Sequence, residues 1–167
     1  IVSGYTDGTY RPRSSINRVE LMKILVESRG LSATGSNCFK DVSNEWFAKY
    51  VCTAKNKGWV KGYDDGTFKP SRNINRAEAI AMMFKVYKDK IDIYNLGKGE
   101  SELYLDVSTT AWYVNYLYAG QASGILARKS NFYPSMDITR GDVASALYRL
   151  LGYLKPKKTV AVVVPVP

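Results

Sequence analysis

The chain has 167 residues, a formal net charge of +9 at pH 7 and no histidine. The lack of histidine excludes Ser-His and Cys-His catalytic pairs, and no apolar run reaches the roughly 18 residues of a membrane-spanning helix. The basic excess favours a polyanionic partner, such as an acidic polysaccharide, a nucleic acid or an anionic membrane, unless it is ordinary solubilising charge.

The first predicted elements are a turn and a helix. Residues 4–12 combine an Asp-Gly turn with an aromatic residue and a proline. Asn17 is a good N-cap, and Glu20 three residues later completes a capping box, so we expect a helix from Arg18. Its apolar residues recur at helical spacing: Val19, Met22, Leu25 and Val26.

A complete helix-loop-helix unit follows. Its leading helix is predicted from helical spacing of Trp46, Phe47, Tyr50, Val51 and Ala54, and Gly58 would end it. The turn at 63–68 contains Asp-Gly, and Pro70 predicts an extended approach to the next helix. Asn75 and Glu78 form the second capping box. The helix after it has an apolar face formed by Ile80, Met83, Phe84 and Tyr87.

The third unit is a degenerate copy. The Asp-Val pair at 106–107, Trp112, Tyr116 and Gly124 repeat the order of residues 41–58. The loop at 127–134 keeps the aromatic residue and the proline but lacks two residues and the Asp-Gly turn. Thr139 with Asp142 approximates the helix cap. The final helix has an apolar face formed by Val143, Ala146, Leu147 and Leu150.

Three short segments, at 16–20, 74–78 and 138–142, are nearly the same and lie 58 and then 64 residues apart. The chain is therefore a threefold internal repeat. Units of about 60 residues bury too little surface to be stable alone, so we expect one domain. The predicted fold is all-α, with pseudo-threefold helix-loop-helix repeats packed around a central helical bundle and short irregular loops between the helices.

The repeat alignment divides the chain into four segments. Residues 1–30 are the second half of a first repeat, 31–90 are the second repeat, 91–153 are the third repeat and 154–167 are a tail. The tail begins with a basic, proline-containing hinge and continues as an uncharged, β-prone run. It is either a linker toward a further domain or a strand that adds to the sheet of a partner.

The two cysteines, Cys38 and Cys52, match no metal-binding spacing. They are either two buried thiols or a short-range disulfide that joins a helix to its preceding loop. A disulfide would stabilise the fold by about 3 kcal/mol and would require an oxidising, extracellular location.

The repeated loop and helix resemble the S-layer homology (SLH) domain. The motif is Gly-Tyr-x-Asp-Gly-Thr-Phe-x-Pro followed by Ile-Asn-Arg-x-Glu, with an upstream Asp-Val and a tryptophan-containing helix, and it covers residues 1 to about 152. The resemblance implies a pseudo-threefold helical module that anchors exported proteins non-covalently to the bacterial cell wall. The expected partner is an acidic, often pyruvylated, wall polysaccharide or peptidoglycan, bound in grooves between repeats at the extracellular surface.

The resemblance also identifies candidate ligand-binding residues. Loop groups of the family correspond to Tyr5 and Asp7 and to Tyr63, Asp65 and Gly66. Both tyrosines lie in turns, where we expect exposed rings that can stack on sugars. The tryptophans of the family correspond to Trp46 and Trp112, for which core packing is the alternative.

The arginines Arg18, Arg76 and Arg140 each begin a helix, where a cation is mildly unfavourable beside the helix dipole. Either they form salt bridges between repeats, or their guanidinium groups bind an acidic ligand bidentately. Free amides at the helix N-terminus would assist such binding. The acidic residues Glu20 and Glu78 are also candidate ligand-binding residues, although a role as helix caps is sufficient to explain them. Of these candidates, Arg76 and the turn at 63–66 are expected to form the best site.

We expect no enzyme, no cofactor and no metal site. The carboxylates that could form a catalytic pair already have turn or cap roles, and the Asp-Gly turns lack the further ligands of a calcium loop. Nucleic acid is not an expected partner. The alternative function is a self-assembling subunit of a surface layer or extracellular filament, with self-association through the incomplete first repeat or the C-terminal tail.

Overall fold

The structure, a computed structural model, describes residues 4–96 and 104–155. In that part of the chain it contains six helices and no strand, which confirms the all-α prediction. The short α4 was not predicted. The helices are α1 (Arg18–Ser28), α2 (Ala48–Asn56), α3 (Arg76–Val86), α4 (Ile93–Leu96), α5 (Val114–Ala122) and α6 (Arg140–Tyr153).

The capped helices begin where the sequence predicts. Both α1 and α3 have complete capping boxes, formed by Asn17 with Glu20 and by Asn75 with Glu78. At α6 the hydroxyl of Thr139 accepts a hydrogen bond from the Asp142 amide at 3.1 Å. The Asp142 carboxylate instead accepts a hydrogen bond from Arg76 at the neighbouring repeat.

The leading helices begin later than predicted. The first helical residues of α2 and α5 are Ala48 and Val114, and neither helix has a side-chain cap. Trp46 therefore precedes the helix, and its ring packs edge-on against Phe47. Trp46 and Trp112 are 61% and 62% exposed. The core-packing alternative for the tryptophans is wrong, because both lie on the turns before their helices.

Three isoleucines close the fold at its pseudo-threefold axis. The amide of Ile16 donates to the carbonyl of Ile138 at 3.2 Å, Ile138 donates to Ile74 at 3.0 Å, and Ile74 donates back to Ile16 at 3.2 Å. All three side chains are buried. The ring joins the segments that lead into α1, α3 and α6, so these helices diverge from one hydrogen-bonded centre.

Each capped helix packs against the leading helix of the next repeat where both are described. Helix α1 packs on α2 and α3 on α5, while α1 also contacts α3 and α4 contacts α5. Their apolar faces meet in one continuous core that includes Leu25, Phe84 and Leu147. The described parts of all three repeats therefore contribute to one core.

A disulfide joins Cys38 to Cys52, with 5.5 Å between the Cα atoms. It connects the loop before α2 to the helix itself. The Thr53 hydroxyl strengthens the same attachment, since it accepts from the Thr34 amide at 2.9 Å and donates to the Thr34 carbonyl at 3.1 Å.

Two predictions concern residues outside the described ranges. They are the assignment of residues 1–3 to the first repeat and the linker or strand role of the tail beyond residue 155. Within the described ranges, no helix combines the length and hydropathy needed to cross a bilayer.

Candidate ligand-binding grooves

The three arginines bind the loops of neighbouring repeats in a closed cycle. Nε of Arg18 donates to the carbonyl of Phe68 at 2.9 Å, Nε of Arg76 to Phe132 at 2.8 Å, and Nε of Arg140 to Tyr10 at 3.1 Å. Each guanidinium also lies over the ring of that aromatic residue. The arginines therefore connect the repeats, through carbonyl and ring contacts at all three junctions.

The first amides of the capped helices are not free for a ligand. At α1, the Arg18 amide donates to the carbonyl of Arg72 and the Val19 amide to that of Pro70. The next amide, that of Glu20, donates to the N-cap Asn17. The same pattern recurs at α3 and α6. The prediction of free helix-terminal amides is therefore wrong, because the neighbouring loop supplies their acceptors.

The aspartates of the two Asp-Gly turns are bound within their own loops. Asp65 Oδ1 accepts from the amide and the hydroxyl of Thr67 at 2.9 and 2.6 Å, and its other oxygen faces Lys69. The Thr67 hydroxyl, followed by the Thr67 amide and Lys69, lowers the pKa of Asp65 to about 2. Thr9 likewise lowers the pKa of Asp7. Gly66 accommodates the turn with φ of 81°.

The turn tyrosines are covered by cations. The ring of Tyr63 lies beneath Arg18, Lys69 and Arg72, at 5.0, 4.3 and 5.8 Å from its centroid, and its hydroxyl is buried. Tyr5 lies beneath Arg11 and Arg140. The expectation of an open stacking ring is wrong for Tyr63, because the arginine of the preceding repeat covers it.

Two aspartates that the sequence analysis did not select hold the loops in place. Asp41 accepts from the amides of Phe68 and Lys69 at 2.7 and 2.8 Å, and Asp106 does the same for Phe132 and Tyr133. The repeated Asp-Val pair was the signal available in the sequence.

A groove of about 470 Å³ lies at the junction of the first and second repeats. We call it groove A. Its cations are Arg18, Lys61, Lys85 and Lys88, and its one carboxylate is Glu78. Trp112 of the third repeat borders it with a largely exposed indole. Gly58, Trp59, Val60, Gly62, Ala81 and Met82 complete the lining. The groove therefore combines a strong positive charge with an aromatic edge.

Arg18 is the buried cation of groove A. It is 7% exposed, and burial lowers its pKa against the opposing effects of Tyr63 and Glu78. Its Nε bonds to the Phe68 carbonyl, whereas its two terminal nitrogens donate no hydrogen bond to any described residue. A buried cation without a paired anion is costly. Arg18 is therefore a buried cation without an ion pair among the described residues.

A second groove, of about 220 Å³, lies at the junction of the second and third repeats. We call it groove B. It places Arg76, Lys129 and Arg149 around Asp142. Here the arginine is already paired, since Nη1 of Arg76 lies 2.9 Å from Oδ2 of Asp142. The salt-bridge alternative therefore describes the geometry at Arg76, although it does not describe Arg18.

The junction of the third and first repeats involves Arg140. Besides the Arg140 contact to Tyr10, the Tyr10 hydroxyl donates back to the Arg140 carbonyl. On α1, Glu27 occupies the position that corresponds to Lys85 on α3, and it accepts from the Tyr50 hydroxyl. Lys23 lies over the exposed Trp46. This junction therefore carries an acidic group where groove A carries a lysine.

The structure groups the predicted residues differently from the sequence analysis. The turn at 63–66 meets Arg18, whereas Arg76 meets the loop of the third repeat. Sequence reasoning missed Lys85, in the last turn of α3, and Lys88, just beyond the end of that helix. Among residues 4–96 and 104–155, no cluster of side chains is arranged to hold a metal ion.

Comparisons with known proteins follow the same repeats. The model of the S-layer homology domain family matches residues 1–22, 39–80 and 103–144, more than half of the chain. A cellulosome-anchoring protein of Acetivibrio thermocellus is 37% identical over 89 residues, which are 50% of this chain and 20% of that protein.

Two further relatives are cell-envelope proteins by name. The middle cell wall protein of Brevibacillus brevis is 37% identical over 51% of this chain and 9% of its own length. The surface-layer 125 kDa protein of Lysinibacillus sphaericus is 27% identical over 90% of this chain and 13% of its own length. The matched regions span no more than a fifth of these three relatives.

Proposed function

Because the chain belongs to the S-layer homology domain family, we propose that it is a non-catalytic module that anchors an exported protein to the bacterial cell wall. Its partner is an acidic wall polysaccharide or peptidoglycan. Relatives named for anchoring, for the cell wall and for the surface layer support this role. The observation that carries the proposal is Arg18, a buried guanidinium that has no ion pair among the described residues and lies in a groove lined by three lysines.

The chemistry of groove A suits an acidic sugar. The two terminal nitrogens of Arg18 can each donate a hydrogen bond to one carboxylate. A pyruvyl substituent on a sugar carries such a carboxylate. Lys61, Lys85 and Lys88 add long-range attraction for a polyanion. The exposed ring of Trp112 provides a flat apolar surface for the face of a sugar. The groove volume of about 470 Å³ lies in the range of small-ligand sites.

The disulfide between Cys38 and Cys52 supports an extracellular location. Disulfides persist in oxidising compartments and are rare in the reducing cytosol. Location at the cell surface also brings the basic groove into contact with acidic wall polymers. Self-assembly through the first repeat or the tail stays a prediction of the sequence.

Co-sedimentation with purified wall sacculi tests the proposal. We expect the wild-type chain to bind native sacculi and to lose binding after the acidic polysaccharide is removed. The double variant Lys85→Ala/Lys88→Ala should bind at least about tenfold more weakly. The matched control, Lys57→Ala/Lys90→Ala, removes the same charge from exposed positions outside the grooves and should bind like the wild type.

Arg18→Lys keeps the positive charge but removes the planar guanidinium that can form two parallel hydrogen bonds to a carboxylate. It should therefore also weaken binding without unfolding the chain. Equal retention on stripped and native sacculi would contradict the polysaccharide version and favour peptidoglycan. Retention of full binding by the Lys85/Lys88 double variant would remove groove A from the proposal.

A further inference from the structure

Grooves A and B contain the same pair of groups in two arrangements. Each has the arginine that begins one capped helix, and each has the acidic third residue of the next capped helix. In groove B the pair is closed, with Arg76 and Asp142 at 2.9 Å. In groove A the corresponding groups are Arg18 and Glu78, which line the same groove without a hydrogen bond or ion pair between them.

Glu78 is held elsewhere by Arg72. Nη2 of Arg72 lies 2.6 Å from both carboxylate oxygens of Glu78. The remaining contact of the carboxylate is the helix cap, a longer hydrogen bond of 3.4 Å from the Asn75 amide. Arg72 therefore makes the shortest contacts of the Glu78 carboxylate.

The third repeat lacks this arginine. The Arg18 amide donates to the carbonyl of Arg72, and the equivalent Arg76 amide donates to the carbonyl of Met136. Met136 therefore occupies the position of Arg72, and its thioether cannot pair with a carboxylate. Asp142, which has no arginine at this loop position, accepts a hydrogen bond from Arg76.

We propose that Arg72 is the positioning residue that opens groove A to an acidic ligand, because it holds Glu78 away from Arg18. Groove B, which has Met136 in the same position, is occupied by its own Asp142. Between grooves A and B, the identity of this loop residue therefore distinguishes the unpaired arginine from the paired one. The inference rests on the proposed function, since the ligand is the acidic wall polymer that groove A binds.

Binding to wall sacculi tests the inference through a double-mutant cycle. Arg72→Met should weaken binding roughly fivefold, because Glu78 then pairs with Arg18 and competes with the ligand. Arg72→Lys should bind as tightly as the wild type, since a lysine at this position can also pair with Glu78. In the Glu78→Gln background, Arg72→Met should have no further effect.

The Glu78→Gln background distinguishes a positioning role of Arg72 from a direct attraction between its charge and the ligand. If Arg72 acted on the ligand through its own charge, Arg72→Met would weaken binding with Glu78→Gln as well, and the inference would be wrong. Unchanged binding by the single Arg72→Met variant would also overturn it.

A crystal structure of the Arg72→Met variant provides a second test, which needs no ligand. We expect the Glu78 carboxylate within hydrogen-bonding distance of Arg18, as Asp142 is of Arg76. A carboxylate that stays away from Arg18 refutes the inference even if wall binding is normal. Failure of the wild-type chain to bind sacculi refutes the proposed function instead, and this structure still decides the role of Arg72.

Discussion

Asp65 carries out a local task that its position in a turn requires. Its carboxylate accepts both the amide and the hydroxyl of Thr67, and it faces Lys69. These contacts favour the ionised form, so the pKa of the carboxyl falls from 3.8 to about 2. The carboxylate of this family motif therefore shapes the loop that contains Tyr63.

This pKa predicts an acid-dependent part of the stability. Since the pKa in the folded state lies below that of the unfolded chain, the contribution of Asp65 is complete above about pH 4 and is lost as the pH falls through about 2. Asp65→Asn should therefore lose less unfolding free energy across that window than the wild type. Urea denaturation at both ends of the window measures the difference.

The exposed neighbour Asp64 is the control, and Asp64→Asn should retain the acid dependence of the wild type. Equal acid dependence of the wild type and Asp65→Asn would show that the loop contacts do not contribute to stability.

In the loop before each capped helix, the residue that precedes the proline has a strained, left-handed backbone. In the second and third repeats an aspartate accepts a hydrogen bond from its amide. Lys69 has φ of 56°, in the left-handed region, and the equivalent Arg11 and Tyr133 have 52° and 58°. Pro70 predicted an extended approach to the next helix, but the backbone of the residue before it is left-handed. The left-handed backbone costs about 1–3 kcal/mol and persists only when its surroundings hold it. Asp41 supplies that support by binding the Lys69 amide.

We therefore expect Asp41→Ala to lower the free energy of unfolding by about 2 kcal/mol, since it removes two hydrogen bonds to a carboxylate and leaves the strain unopposed. Thermal and urea denaturation measure the loss. Asp106→Ala is the matched variant in the third repeat and should cost a similar amount. A negligible loss for both would show that the loop conformation does not depend on these aspartates.

The repeats of the whole molecule form a closed cycle. In a linear repeat array each unit contacts only its neighbours, so the units can unfold separately. Here Ile16, Ile74 and Ile138 exchange hydrogen bonds in a ring, and Arg140 of the third repeat returns to Tyr10 of the first. Each repeat is thereby coupled to both others.

Cooperative unfolding follows from this closure. Far-UV circular dichroism and tryptophan fluorescence should report a single urea transition with the same midpoint. Ile138→Ala, at a buried position of the ring, should destabilise by about 2–5 kcal/mol and keep both probes coincident. Two separated transitions, in the wild type or in this variant, would show that the repeats unfold as independent units.

The parts of the fold that the sequence predicted correctly depend on residues close together in the chain. The capping boxes of α1 and α3 depend on residues three positions apart, and the all-α fold depends on helical spacing within each repeat. Trp46 shows the limit of this reasoning. Its spacing fits the helical face, but the helix begins two residues later and the indole is exposed.

The sequence by itself determined the threefold repeat, the capped helices and the family, because caps, turns and periodicity depend on near neighbours. Only the tertiary structure decided which arginine meets which loop, since those contacts join residues 50, 56 and 130 positions apart. It also decided that Arg76 pairs with Asp142, whereas Arg18 has no ion pair among the described residues. We propose that the physical reason is the loop residue beside each carboxylate, since Arg72 pairs with Glu78 and the thioether of Met136 cannot pair with Asp142.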